Sequence, residues 1–147
     1  MRQEDFVGLW DSGLYDRRPR QSSQLGFLPD GRGWTTWANS SGTLTVGRLH
    51  WRCTPGGQLE LRYAWRIIGS WRGSTETLAL TSVTEQRPDS TVLYTNYTIG
   101  LATAVAAPEP YPALRTAEPV EASTSFALAR RDLGPRDDPS YPLFPYY

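Results

Sequence analysis

Few residues in this chain are equipped for chemistry. His50 is the only histidine and Cys53 the only cysteine. Positions three apart on an extended strand have opposite parity, so these side chains leave opposite faces and cannot form a nucleophilic relay. One histidine and one cysteine also fall short of the several converging ligands a metal needs, so neither a metal nor a cofactor is expected. Glu76 and Glu85 fall in one region and Glu60 in another; nothing turns Glu60 inward to complete a carboxylate pair for acid–base work. Cys53 reads as a small core residue, its thiol kept protonated by burial.

Aromatic residues are the richer material: six Trp, eight Tyr and four Phe. Leu49, Trp51 and Cys53 share one parity, which leaves His50 facing outward. Leu59, Leu61, Tyr63, Trp65 and Ile67 alternate with Glu60, Arg62, Ala64 and Arg66, the pattern of a strand with one buried and one wet face. Trp51, Tyr63 and Trp65 are therefore expected to share one interior, either as a solid aromatic core or as apolar cavity walls with phenol and indole handles. Tyr63 is the one catalytic candidate, as a hydrogen-bond donor to a developing charge. Arg17, Arg18 and Arg20 crowd a polar loop over 11–23, either as a solvated loop or as a gate that attracts the anionic end of a ligand.

These residues must be positioned by strands. Tight-turn chemistry recurs, as at Asp30-Gly31, where glycine supplies the positive φ of a short hairpin. Strands are read at about 6–10, 23–28, 32–38, 43–53, 59–67, 77–85, 91–102 and 125–130, with no convincing helix. The apolar set shifts parity around Gly47, which predicts a β-bulge there. The segment 103–122 reads as an irregular Ala/Pro-rich loop acting as a lid or brace. A final stretch with four prolines among Tyr and Phe reads as extended or polyproline-like. Eight short hairpin-connected strands avoid open edges by closing, so the expected fold is all-β: an eight-stranded antiparallel up-and-down β-barrel over 1–131 and an irregular Pro/aromatic tail over 132–147.

The chain resembles a family at this point. Gly8-Leu9-Trp10 on the first strand resembles the Gly-x-Trp signature of lipocalins and related calycins. Phe27-Leu28-Pro29-Asp30-Gly31-Arg32-Gly33, with Trp51 and Gly57-Gln58-Leu59-Glu60-Leu61, is similar to small bacterial lipocalin-like domains. The resemblance implies that Trp10 sits at the closed end of the barrel with Gly8 beside it. It also implies that a basic residue of the last strand packs across Trp10. Phe126, Leu128 and Arg130 share parity, which assigns that place to Arg130, with cation–π attraction as the physical reason.

Composition narrows the function classes. Fifteen basic residues, all Arg, balance fifteen acidic ones, which argues against general nucleic-acid binding. No apolar run is long enough for a membrane helix, and the acidic N-terminus lacks a signal peptide's apolar segment. A single cysteine fits a reducing cytoplasm. The expected function is a cytoplasmic lipocalin-like barrel that binds a mostly apolar small molecule. Its rivals are a cofactor-independent cyclase or isomerase that holds a flexible substrate in reactive shape, and a protein-interaction module using the tail. A homodimer is compatible with each.

Overall fold

The computed structural model describes residues 3–13, 21–73, 78–104 and 107–145. Its strands are β1 (Gly8–Asp11), β2 (Gln21–Phe27), β3 (Arg32–Asn39), β4 (Thr43–Cys53), β5 (Leu59–Arg72), β6 (Ala79–Pro88), β7 (Val92–Thr95), β8 (Tyr97–Ala104), β9 (Ala107–Val120) and β10 (Ser123–Arg130). Short 3₁₀ turns lie at Gln3–Phe6 and Pro135–Asp137. No described helix is long and apolar enough to cross a membrane.

All pairings are antiparallel, in the order β6-β5-β4-β3-β2-β1-β10-β9-β8, with β7 also on β5. The all-β antiparallel expectation holds at this level, but ten strands replace eight among the described residues. The two additional strands arise where 91–102 divides into β7 and β8 around Asn96 and where 107–120 forms β9; β5 pairs with β7 along its first half and with β6 along its second. The sheet curls until β9 meets the β7–β8 junction, where Ala117 N–H donates to the Asn96 carbonyl at 2.9 Å and Glu118 N–H to Thr95 Oγ1 at 2.9 Å. No described ladder joins β7 to β9, and the sheet is not closed into a barrel.

Turn chemistry sets the register of the meander. Leu28 N–H donates to the Arg32 carbonyl at 2.9 Å across the β2–β3 turn. Gly31 there takes φ +91°, and the Asp30 carboxylate accepts from the Arg32 backbone N–H at 3.0 Å.

Segment 103–122 is not an irregular loop; most of it is β9. Pro112 pairs with Leu101 on β8, and Pro108 and Pro110 lie where that ladder slips, between the Ala102–Tyr111 and Ala104–Ala107 pairs. The ladder with β10 stops at Ala113, so the edge toward β10 needs no donors from the prolines.

Alternation along the strands makes two apolar faces. The concave face buries Phe6, Trp10, Leu25, Phe27, Leu49, Trp51 and Tyr63 against Leu114, Val120 and Phe126 from the far side of the curl. The convex face of β3 to β6 buries Trp34, Leu44, Val46, Ile67 and Leu80. The C-terminal segment covers this second face, with Leu133 and Phe144 packed on it. Its turns differ from the extended expectation: Tyr141 N–H donates to the Asp138 carbonyl at 2.9 Å, and Phe144 N–H to the Ser140 carbonyl at 2.8 Å. Leu80 N–H donates to the Pro139 carbonyl at 2.9 Å. Arg48 Nε reaches Asp138 Oδ2 at 3.1 Å and Ser140 Oγ at 3.0 Å.

Candidate functional site

A single bulge in β5 creates the most concentrated polar chemistry on the concave face. Arg48 pairs with Trp65 but Leu49 pairs with Tyr63, which leaves Ala64 as an extra residue. The bulge falls one residue from the expected Gly47, and on the neighbouring strand. Tyr63 and Arg66 have opposite parity in sequence; with Ala64 bulged, both face the concave side. The same insertion sends Trp65 to the convex cluster. The expectation that Trp65 shares an interior with Trp51 and Tyr63 is corrected accordingly.

Three strands then supply one row. Thr35 on β3 pairs with Gly47 on β4, and Gly47 with Arg66 on β5. Gly47 is needed for its size: a Cβ there would lie 2.5 Å from Tyr63 Cε1. The ring lies across this gap and brings the Tyr63 hydroxyl to 3.1 Å from Thr35 Oγ1. Arg66 Cζ sits 4.8 Å from the ring centroid, within cation–π range.

A carboxylate descends into this row from the β9–β10 turn. Val120 pairs with Ser123, so Glu121 and Ala122 form a two-residue hairpin turn. Both have positive φ, 49° and 69°. Glycine suits such a turn; a non-glycine residue held there stores ~1 kcal/mol or more. Ser23 Oγ donates to the Glu121 carbonyl and holds the turn down. Thr35 Oγ1 donates to Glu121 Oε1 at 2.8 Å, Arg66 Nη1 at 2.7 Å and the Tyr63 hydroxyl at 3.3 Å. Arg66 is also steadied from behind: its Nε and Nη2 each donate to Asp89 Oδ2 at 3.2 Å.

The Arg66, Glu121 and Asp89 side chains are only 16, 14 and 10% exposed, so their charges interact through protein more than through water. Burial holds the Tyr63 phenol protonated well above its ordinary range, and the nearby Glu121 charge adds to this. Burial opposes the charge on Arg66, but Glu121, Tyr63 and Asp89 together outweigh it and raise the guanidinium above its usual value. Burial also pushes the Asp89 carboxyl up; hydrogen bonds from Thr91 and Arg66 overcome that and lower it. The cluster is thus a fixed set of donors that grips one carboxylate oxygen.

The other expected residues fall elsewhere. Trp51 is a core ring, 5.0 Å from Phe27 and 5.8 Å from Phe6 between centroids, and its Nε1 donates to the Leu28 carbonyl at 3.0 Å. Arg17, Arg18, Arg20 and Glu76 lie outside the described residues. Trp10 is fully buried in the concave core, its Nε1 donating to the Phe6 carbonyl at 2.8 Å. Gly8 faces the Arg130 carbonyl too closely for any Cβ, which would lie 2.5 Å away. The residue across Trp10 is Arg131, not Arg130. Leu9 pairs with Arg130 but Trp10 with Leu128, so Ala129 is bulged and Arg130 turns to the convex face. There Arg130 meets Asp137 at 2.8 Å.

His50 is exposed, as its parity requires. Glu60 also faces outward, its carboxylate on Arg52 Nε at 2.9 Å. Cys53 packs beside the concave core, where burial raises its thiol. No cluster of His, Cys, Asp or Glu suited to a metal occurs among the described residues.

Two cavities open away from the polar cluster. One of about 240 Å³ lies beneath the C-terminal segment, lined by Leu9, Gln24, Arg130 and Pro139 among others. One of about 370 Å³ runs along β8 and β9 from Thr98 to Thr103. Trp51, Tyr63 and Trp65 line neither. Sequence reasoning missed Thr35, Arg66, Asp89 and Glu121, because Glu121-Ala122 carries no turn glycine and Arg66 has the outward parity. In comparisons with family models, curated proteins and solved structures, the chain matches none.

Proposed function

We propose that this chain binds a mostly apolar small molecule on its concave face, with the ligand's polar end held by Thr35, Tyr63 and Arg66. One observation carries the reading: three donors from two strands, β3 and β5, converge on a single oxygen, Glu121 Oε1, inside a curled apolar sheet. Such a set fixes orientation while the apolar surroundings supply affinity. Trp37 and Ile68 lie on the same face one row nearer the β3–β4 turn and are half-buried, which offers apolar surface beside the donors. The Trp10–Arg131 contact and Gly8 beside it support the lipocalin-like reading of the chain, and the lone cysteine fits a cytoplasmic protein.

Titration with hydrophobic compounds, followed by tryptophan fluorescence, tests this. Saturable quenching or a blue shift is expected, lost when Arg66 is replaced by Leu. Signal changes that survive Arg66→Leu unaltered would overturn the site assignment.

A ring-closing enzyme is the second reading. Tyr63 favours it, as a phenol that stays protonated beside a guanidinium and can stabilise developing negative charge. Chromatography of a bound compound before and after incubation separates the two: an unchanged compound supports the binder, a rearranged one the enzyme.

A further inference from the structure

Glu121 occupies its site in the manner of a ligand. We propose that Thr35, Tyr63 and Arg66 form a carboxylate site whose resident occupant is the chain's own Glu121, and that an apolar carboxylic acid enters by displacing it. The inference rests on the binding function above and names the chemical class of the ligand.

Four features point the same way. The donors are built into the sheet, whereas the acceptor hangs from a two-residue turn. That turn holds two non-glycine residues at positive φ, a conformation that relaxes when the turn lifts. Outside its own ladder, the turn's backbone is held to the sheet by a Ser23 hydroxyl on the Glu121 carbonyl, a contact water can replace. The site keeps its shape without Glu121: Asp89 holds Arg66 through two hydrogen bonds, and Gly47 leaves the Tyr63 ring its place.

An incoming carboxylate restores what departs. It returns one negative charge beside Arg66 and an acceptor for Thr35 and Tyr63, groups whose burial without a partner is unfavourable. An alcohol restores the acceptor but not the charge, and an amine brings the wrong charge. The apolar body of the acid would lie where the turn now rests, against Trp37 and Ile68. A self-occupied site binds only in the fraction of time it is open, and its apparent affinity falls in that proportion, so removing the occupant tightens binding.

Calorimetric titration with decanoate, decanol and decylamine tests this on the full chain and on Glu121→Ala. Decanoate is expected to bind Glu121→Ala about tenfold more tightly than wild type, and on Glu121→Ala it is expected to bind more tightly than decanol, with decylamine weakest. Glu121→Gln keeps the side chain's length and removes its charge; it is expected to gain in the same direction, and it covers the case in which Glu121→Ala does not fold. Equal decanoate affinity in wild type and both variants would overturn displacement while leaving the binding function standing. Decanol binding Glu121→Ala as tightly as decanoate would overturn the carboxylate assignment. No binding of any probe to any variant would overturn both the displacement and the function it rests on.

Discussion

The Arg131 guanidinium lies 5.7 Å from the centroid of the Trp10 ring, and its Nη1 donates to the Val7 carbonyl at 3.0 Å. Arg131 thereby ties the end of β10 to the entry of β1, over the fully buried Trp10. Trp10→Ala should lose ~3–5 kcal/mol, as large aromatic truncations in a core do. Arg131→Ala should lose ~1–2 kcal/mol from the cation–π contact and the carbonyl bonds. Arg130→Ala, exposed on the other face, should lose under ~1 kcal/mol. Urea unfolding of the three variants checks the order; a larger loss for Arg130 than for Arg131 would contradict it.

Gly47→Ala should disturb the polar row directly. The new Cβ would meet the Tyr63 ring at 2.5 Å, and overpacking of this kind loses ~1–3 kcal/mol. Displacing the ring also separates its hydroxyl from Thr35 and Glu121. Urea midpoints test the stability change, and ligand titration tests the site; a variant unchanged in both would show that the ring does not need this gap.

The C-terminal segment is predicted to be structural. Asp138 is fully buried with Arg48, and Ser140 completes the contact. Removing Asp138 takes the counter-charge from the largely buried Arg48 guanidinium, so Asp138→Ala should lose ~3 kcal/mol. For a domain of this size that is a fall in melting temperature of roughly 10 °C. A shift under about 3 °C would mean that the segment only rests on the convex face.

Acid should weaken the fold partly through Glu60. Hydrogen bonds from Arg52 draw this carboxyl from an ordinary 4.5 down to about 2. A lowered folded-state value stabilises the protein above the unfolded value, and the contribution is lost as pH falls from about 4.5 toward 2. Glu60→Gln should flatten the dependence of the urea midpoint on pH across that window. Parallel wild-type and variant curves would remove Glu60 from the account.

Much of the fold is legible in the alternation of β4 and β5, and in the turn at Asp30-Gly31. Two single-residue insertions are not, and each moves a functional residue by one place. The bulge at Ala64 takes Trp65 off the concave face and brings Arg66 onto it. The bulge at Ala129 does the same to Arg130 and Arg131. Alanine has no conformational signature that marks a bulge, as glycine or proline would, so parity counted across either site exchanges the two faces. The prolines of β9 misled for the opposite reason: their spacing suggests a loop, yet the strand pairs with β8 on both sides of a slip in register. Glu121 was hidden because its role depends on a turn formed by residues that disfavour it.

A crystal structure with decanoate bound to the full chain tests the central claim most directly. The account predicts its carboxylate within hydrogen-bond distance of Arg66 Nη1, Thr35 Oγ1 and the Tyr63 hydroxyl, with Glu121 withdrawn and the alkyl chain against Trp37 and Ile68. Decanoate lodged under the C-terminal segment or along β8 and β9, with Glu121 still on Arg66, would contradict it.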